Sequence, residues 1–397
     1  MKVLLVGAGG YGVKYVDYLL QKIDPTLTLA GVVEPYFDAC ARREEILAAG
    51  VPVWESMEKF YAVSSAELAI ICTPPFLHER QSILALENGS FVLCEKPVAP
   101  TLDAARRMAQ AEKRHGKWIA IGYQWSFAPA ILALKRDILS GRLGKPRTLK
   151  TIVSWPRKKA YYGRGIGWAG RIEKDGITIL DSIVSNACAH YVHNMLFLLG
   201  EDMHSAALPL RVEAECLRAY RIETFDTCVL RAKMAQGAVT YFIASHAADE
   251  RLDPQFVYEF EKATVTYTDG QIIADLADGS RVFYGDPFEN EMRKITDCAH
   301  AIEVGTCPPC TVETASAHTA LIGALHRHIG ICEFSPETVR ENEEKIWVDG
   351  LCAAMRACYT DTALLSERGM DTVPFRFKLG KREISELALK ESIDEIQ

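Results

Sequence analysis

The first 125 residues alternate short, almost wholly apolar runs with longer amphipathic ones. KVLLV (2–6), LAGVVE (29–34), a short piece at 51–54, LAIIC (68–72), FVLCE (91–95) and WIAIG (118–122) read as strands. Helical spacing recurs near 10–20, 38–49, 76–88 and 101–115. Strands that are apolar throughout are covered by helices on both faces, which predicts a doubly wound parallel α/β sheet. After Phe127 the rhythm changes. A helix is expected over 128–140, then strands at 147–155, 209–220, 226–234, 238–246, 255–261, 263–268 and 280–284. Many of these alternate polar with apolar residues, as half-buried antiparallel strands do. This predicts an α+β domain over 126–330 with one large, mostly antiparallel open sheet, whose exposed face is a natural oligomer interface. Residues 331–397 form an extension. Glu341–Lys345 is a charged lead-in, and Trp347–Ser366 and the segment from Lys381 carry helical spacing suited to packing or oligomer contacts.

The first strand runs into Gly7-Ala8-Gly9-Gly10-Tyr11-Gly12 and then a helix. In that context GxGxxG reads as the turn of a Rossmann dinucleotide site. Gly7 permits the tight turn, Gly9 lets the backbone approach a pyrophosphate, and Gly12 lets helix and strand pack closely. The helix N-terminus offers N–H groups and positive dipole to phosphates. Glu34 ends the second strand, where a carboxylate accepts from the adenosine ribose hydroxyls and repels a 2′-phosphate. NAD is therefore expected rather than NADP, with Arg42 and Arg43 keeping NADP open unless they belong to a solvated helix face.

Other strand ends meet at the same edge. Thr73 and Pro74 leave the fourth strand, Glu95 ends the fifth and Gln124 follows the sixth; all four are candidate cofactor contacts, and Gln124 is equally suited to a substrate hydroxyl. His78 reads first as a cap or packing residue and second as a member of the cofactor edge. Glu95-Lys96-Pro97 closes the fifth strand and places an ammonium in the crevice where such sheets bind ligands. An X-Pro bond is one of the few that can be cis. A lysine poised beside a cofactor is a natural acid/base, so Lys96 is the first catalytic candidate.

Together, GAGGYG, the acidic strand end, CTPPFLH (72–78), CEKP (94–97) and GYQW (122–125) resemble the glucose–fructose oxidoreductase/inositol dehydrogenase/MocA family over roughly residues 1–330. The resemblance implies an NAD-dependent oxidoreductase with Lys96 beside the nicotinamide. It also implies dimers or tetramers formed through the second domain's sheet. Asn186-Ala-Cys-Ala-His190-Tyr-Val-His193 and the apolar residues up to Gly200 match that family's HYxDLLxxLLG helix. His190 then falls on the catalytic histidine. Asn186 stands where the family has an Asp, and His193 where it has a second. Asn186 is read either as a helix N-cap or as a substrate contact. Asp181 is a possible replacement carboxylate that spacing alone does not place.

Between Asp137 and Glu173 there are nine Lys or Arg residues and no acid. Tyr161–Arg171 resembles the family's substrate-side loop, with Trp168-Ala169-Gly170 in its Trp-x-Gly element. Tyr162 and Trp168 offer aromatic faces to a sugar ring, and Arg171 suits a hydroxyl or an anionic group, against the alternative of a solvated basic loop.

Bulk properties narrow the classes. With 24% charged residues and a net charge of -7, nucleic acid is not expected as the main partner. No run approaches the roughly 20 apolar residues of a membrane span, and glycines interrupt MKVLLV too early for a signal peptide. Twelve scattered cysteines suit a reducing cytoplasm. Cys307-Pro-Pro-Cys310 reads as a loop between two helices, and no metal is expected. The expected function is hydride transfer between NAD and a hydroxyl or carbonyl carbon of a sugar, polyol or sugar derivative. The alternatives are a redox-assisted NAD-dependent glycosidase and a non-catalytic NAD-binding sensor.

Overall fold

The computed structural model describes residues 1–163, 167–369 and 383–384. They form two compact units, Met1–Ala128 with Asn290–Ser316, and Pro129–Glu289 with the residues from Ala317 onward. The units are interleaved rather than consecutive runs of chain, because a segment from beyond the large sheet belongs to the first.

In the first unit the six apolar runs pair as β1 (Lys2–Val6), β2 (Thr28–Val33), β3 (Val53–Trp54), β4 (Leu68–Ile71), β5 (Phe91–Cys94) and β6 (Ile119–Ile121). All pairings are parallel, in the order β3-β2-β1-β4-β5-β6. The order reverses between β1 and β4, so the loops leaving their C-terminal ends diverge and open a crevice. The expected helices are present, the longest being Leu102–His115. Thr101 caps it by accepting from the Ala104 N–H at 3.3 Å, Lys113, Arg114 and His115 face its dipole, and Gly116 ends it at φ +63. A further helix, Met57–Tyr61, is too short to leave a periodic signal in sequence.

The segment Asn290–Ser316 contributes the helix Arg293–Val304 and covers the free edge of β6. Thr311 bridges Ala120, the Cys310 carbonyl accepts from the Ile121 N–H at 2.9 Å, and the Trp118 indole donates to the Thr306 carbonyl at 3.0 Å. An uncovered edge would offer unpaired backbone groups to other chains. Cys307-Pro-Pro-Cys310 lies here, between Arg293–Val304 and the helix Val312–His328.

The second unit is built on β7 (Pro146–Ser154), a small hairpin β8 (Glu173–Lys174) and β9 (Ile177–Thr178), and then β10 (Pro209–Arg218), β11 (Thr227–Met234), β12 (Val239–Ser245), β13 (Leu252–Phe260), β14 (Ala263–Thr268), β15 (Gln271–Leu276), β16 (Arg281–Gly285) and β17 (Ile331–Glu333). The large sheet runs β16-β15-β14-β13-β7-β12-β11-β10-β17, with β7–β12 and β10–β17 parallel and the other pairs antiparallel. The strand β15 was not anticipated, and neither was the hairpin of β18 (Val339–Glu341) and β19 (Ile346–Val348). Trp347 therefore lies on a strand, not in a helix. The Asn342 side chain accepts from the Glu344 and Lys345 N–H groups at 3.0 and 2.8 Å and turns the chain there. The helix begins only at Leu351, after Gly350 at φ +74. Of the segment from Lys381, Glu383–Ile384 (β20) pairs with β10; the rest of that expected helix lies outside the described residues.

Helices cover both faces of the sheet's centre. On one face Asn194, from the helix Ala189–Leu198, donates to the Tyr258 hydroxyl, which also meets Thr151 on β7. On the other, Ile152, Val229, Tyr241 and Ile243 pack against Leu351, Met355 and Leu365 of the extension. Neighbouring strand residues such as Thr151 and Ile152 point to opposite faces. The buried Glu215 carboxylate accepts from the Leu365 N–H at 2.9 Å, and the Tyr241 hydroxyl donates to the Ala363 carbonyl at 2.7 Å. The extension thus occupies part of the face that the strand pattern left open for an oligomer contact. Over β13 to β16 burial alternates residue by residue, and that part of the face stays exposed.

Glu112 offers a check on the first unit. Burial, with Glu313 adding to it, pushes its carboxyl up to about 7, although it accepts from the Ile119 N–H at 2.6 Å. The folded chain therefore binds this proton more tightly than the unfolded chain. Its contribution is full below the ordinary carboxylate range and is lost as pH rises through about 7. At about 1.4 kcal/mol per unit, the loss is on the order of 3 kcal/mol. Denaturant unfolding of Glu112→Gln should match the parent at pH 5 and show a stability advantage growing to about that size by pH 8.

Candidate functional site

The first unit gathers its candidates where β1, β4, β5 and β6 end. Gly7 lies at φ +88, and a Cβ there would meet the Cys72 carbonyl oxygen at 2.6 Å. A Cβ on Gly12 would lie 2.2 Å from the Gly7 oxygen. Both positions are closed by the protein's own backbone. Gly9 differs, because the nearest atom to its Cβ position is Glu34 Oε2 at 4.0 Å, and Gly9 and Gly10 are exposed. The turn thus carries a cradle that the protein leaves open and a side chain would fill, which fits a pyrophosphate.

Glu34 is fixed beside it. Its Oε2 accepts from the Ala8 N–H at 3.0 Å and its Oε1 from the Tyr36 N–H at 3.1 Å. Arg42 is paired with Asp17 and Arg43 with Asp38, so both guanidiniums are committed to carboxylates. That arrangement favours a free ribose over a 2′-phosphate. The Thr73 hydroxyl donates to Gln81 at 2.5 Å, and Pro74 leads into the turn Pro75–Leu77. His78 is wholly buried, with Nδ1 2.9 Å from the Pro97 carbonyl and Nε2 2.9 Å from the Thr73 carbonyl. It packs between the loop after β4 and the loop after β5, where the single N–H of the neutral imidazole serves one of the two carbonyls. Its part in a cofactor site is to hold these loops, because no ring atom reaches the surface.

Lys96 is half-buried at the end of β5, and the Lys96–Pro97 bond is cis. Beneath it lies a network that the motifs do not reveal. Glu95 is 7% exposed and turns back under its own strand. Its Oε2 accepts from the Lys96 N–H at 3.2 Å, and its Oε1 from the Tyr15 hydroxyl at 2.6 Å and from the Lys294 ammonium. Gly122 leaves it room, since a Cβ there would lie 2.9 Å from Oε1. Burial alone would push the Glu95 carboxyl up, but Lys294, Tyr15 and Lys96 together hold it below its ordinary value. Lys294 lies 4.7 Å from the Tyr11 ring centroid and 5.1 Å from that of Tyr15. Tyr11 also donates to Gln124 Oε1 at 3.4 Å, so two expected cofactor-edge residues belong to the same network. Lys294 was missed by motif reading, yet a signal exists. It shares the buried face of its helix with Ile295, Cys298 and Ala301, and a lysine on a core face demands a buried acid.

The second unit gathers the other candidates. His190 lies half-buried in the first turn of Ala189–Leu198. Asn186 is not its N-cap, since that position is Cys188. Instead the Asn186 amide donates to Asp181 Oδ1 at 2.9 Å, while Asp181 Oδ2 accepts from the Gly170 N–H at 2.7 Å. Asp181 therefore sits directly behind Asn186 and ties it to the Trp168-Ala169-Gly170 loop. His193 is buried and held neutral, its pKa driven well below the ordinary value by burial, His318 and Lys135. The Arg171 guanidinium binds Glu223 at 2.9 Å and the Gly167 carbonyl at 2.9 Å, which makes it a brace of the loop. The Tyr162 ring lies tilted against Tyr220, centroids 4.9 Å apart, and helps line a narrow cleft with Tyr161, Asp181 and His246. Residues 164–166 of this loop lie outside the described residues. The basic run is partly answered within the unit, where Arg142 pairs with Asp137, Lys158 with Glu344 and Lys159 with Glu341.

A glycine turn between β1 and the first helix, with a carboxylate at the end of β2, defines a Rossmann unit built for a dinucleotide. Residues 1–123 match the model of the Gfo/Idh/MocA oxidoreductase family, NAD-binding Rossmann fold, and this segment is similar to that family's cofactor-binding part. An inositol 2-dehydrogenase of Renibacterium salmoninarum is 33% identical over 145 residues. That match covers 36% of this chain and 43% of the relative, so it spans less than half of the relative's length. A second, from Streptomyces avermitilis, is 24% identical over 360 residues, covering 87% of this chain and 83% of the relative. Among solved structures, the WlbA dehydrogenase of Bordetella pertussis, in complex with NADH and UDP-GlcNAcA, aligns with a TM-score of 0.67 at 23% identity, over 82% of this chain and 95% of that one. A levoglucosan dehydrogenase in complex with NADH aligns at 0.69 and 17%, over 82% and 96%. At these identities the likeness is one of fold. Among the described residues no helix is long and apolar enough to cross a membrane.

The contrast between two glycines checks the cofactor site. Gly9→Ala should fold normally and weaken NADH binding about tenfold or more in a fluorescence titration, since its Cβ projects only into the cradle. Gly7→Ala should fail to yield stable protein, because its Cβ has no room even in the empty turn.

Proposed function

We propose that the protein is an NAD-dependent dehydrogenase acting on a CH–OH carbon of a sugar, polyol or sugar derivative. The observation that carries this reading is Lys96, half-buried and held from below by the Glu95 carboxylate at the strand edge that also bears the glycine turn. The nicotinamide supplies the hydride acceptor or donor. Lys96 takes the proton from the substrate hydroxyl oxygen once its ammonium has given a proton up to solvent and become the neutral amine, and in reduction the ammonium returns it. His190 is the second acid/base candidate of this proposal, acting on the substrate hydroxyl. Asn186 donates and accepts hydrogen bonds at the substrate, with Asp181 behind it supplying the charge that the asparagine lacks. Trp168 and Tyr162 offer ring faces to an apolar sugar face. Arg171 is occupied by Glu223, which leaves an anionic substrate with less support than the sequence suggested.

Asp181 also bears on the alternatives. A redox-assisted glycosidase or a non-catalytic sensor gained weight from the missing carboxylate at position 186, and a carboxylate in contact with that residue removes much of the reason for either. Self-association through the large sheet is proposed only over β13 to β16, where the face is exposed.

The test is an NAD(H)-coupled screen over inositols, aldoses, uronates and nucleotide-linked sugar acids. The expected outcome is NADH formed in step with oxidised product. Lys96→Met should cut kcat by at least about a thousandfold, within the range of general acid/base loss, and leave NADH affinity within a few-fold. Wild-type turnover in that variant, or glycoside cleavage without net NADH, would overturn the proposal.

A further inference from the structure

We propose that Lys294 is the positioning residue of the Lys96 site: it keeps the buried Glu95 carboxylate ionised, and the ionised carboxylate holds the Lys96 backbone in its working place. The inference rests on the dehydrogenase reading and gives it a dependence that the motif residues alone do not show.

Glu95 faces a conflict that its sequence neighbours cannot resolve. It is buried at the end of an apolar strand, where a lone carboxylate takes up a proton. A protonated Glu95 would be a poorer acceptor for the Lys96 N–H, since charge-assisted bonds are the shorter and stronger ones. The groups facing Glu95 come from several elements. Tyr11 and Tyr15 lie at the first helix, Cys72 and Cys94 at the ends of β4 and β5, His78 at the helix after β4, and Tyr123 after β6. Burial drives the phenols and thiols up and the imidazole down, so each of these is neutral near pH 7. The cations that remain are Lys96 and Lys294. If Lys294 were absent, Glu95 would either accept a proton or draw the Lys96 ammonium inward, away from a substrate.

Lys294 is placed for nothing else. Its side chain is 0% exposed, its ammonium meets Glu95 Oε1 and lies 3.5 Å from the Tyr11 hydroxyl, and the rings of Tyr11 and Tyr15 flank it. Its ammonium is wholly buried and faces the Glu95 carboxylate. Its role is to fix the charge of the group that fixes Lys96.

The experiment compares Lys294→Met, Lys294→Arg and the double variant Lys294→Met/Glu95→Gln with the parent. Infrared difference spectroscopy across pH 5–9 reads the carboxyl directly. Beyond the Glu112 and Asp226 bands that every variant shares, Lys294→Met should show an additional protonated carboxyl band that disappears as pH rises, absent from the parent and from the double variant. In turnover, kcat of Lys294→Met should fall by roughly ten- to a hundredfold, the scale of small misplacements, with NADH affinity changed only a few-fold. It should also gain an acidic limb, rising with pH as Glu95 ionises, which the double variant lacks. Lys294→Arg should restore the parent profile in part. The double variant carries no buried charge at this pair, so it folds even if Lys294→Met does not. No titrating carboxyl in Lys294→Met beyond those of the parent, or an acidic limb that persists in the double variant, would overturn the inference. If the parent turns over nothing in the substrate screen, the dehydrogenase reading falls, while the infrared result still decides what Lys294 does to Glu95.

Discussion

A carboxylate shut away from water needs a cation, and the Glu95 carboxylate finds its buried one 199 positions along the chain. Breaking such a pair costs on the order of 3–5 kcal/mol, because it leaves an uncompensated charge in a low-dielectric site. The first unit is organised around avoiding that cost. Its parallel sheet is complete by Ile121, yet the chain must come back after β16 to deliver Lys294 and to cover the edge of β6. The returning segment therefore serves both the buried charge and the sheet edge. A Rossmann sheet that ended at residue 123 would keep its glycine turn but would hold Glu95 without its buried partner.

The same logic separates what the sequence showed from what it hid. The six parallel strands were legible because each is a short apolar run between turn signals, and local pattern is enough to define them. The glycine turn was legible because Gly7 and Gly12 answer to contacts that any such turn must make. Lys96 was legible from its place at a strand end. Lys294 was not, because its meaning comes from a partner far away in sequence, and only its position on a core face of an amphipathic helix hinted at one. Trp347 was misread for a related reason. Three apolar residues ahead of a helix extend its periodicity, and only the Asn342 turn shows that they pair backward with Val339–Glu341.

In the second unit, charge is again handled by partners that spacing does not reveal. An asparagine where a carboxylate was expected looks like a lost function until Asp181 is seen on its amide. Asp181 accepts one hydrogen bond from the Asn186 amide and another from the Gly170 N–H, and the two join the helix entry to the aromatic loop. The long basic stretch looked like a surface for anions, yet several of its cations are spent on acids from the extension and from neighbouring loops. Sequence runs of one sign are poor guides to surface potential when the fold brings the opposite sign to meet them.

The extension raises the remaining question of what a large open sheet does with its second face. A half-buried antiparallel sheet has two stable choices, to face water with polar residues or to be covered. This chain does both. Over β7, β12, β11 and β10 it lays its own helix and turn on apolar residues, and it secures them through the buried Glu215 carboxylate, which accepts from the Leu365 and Ser366 N–H groups. Over β13 to β16 the same face carries Glu259, Thr264, Thr266, Asp275 and Arg281, with Val257, Ile273 and Phe283 in a cross-strand row between them. A second copy seated on the covered part would have to displace Leu351, Met355 and Leu365 and leave Glu215 without its donors. Any self-association through this face is thereby confined to the polar half, where affinity depends on pairing the charges and the exposed Phe283, not on burying a broad apolar surface.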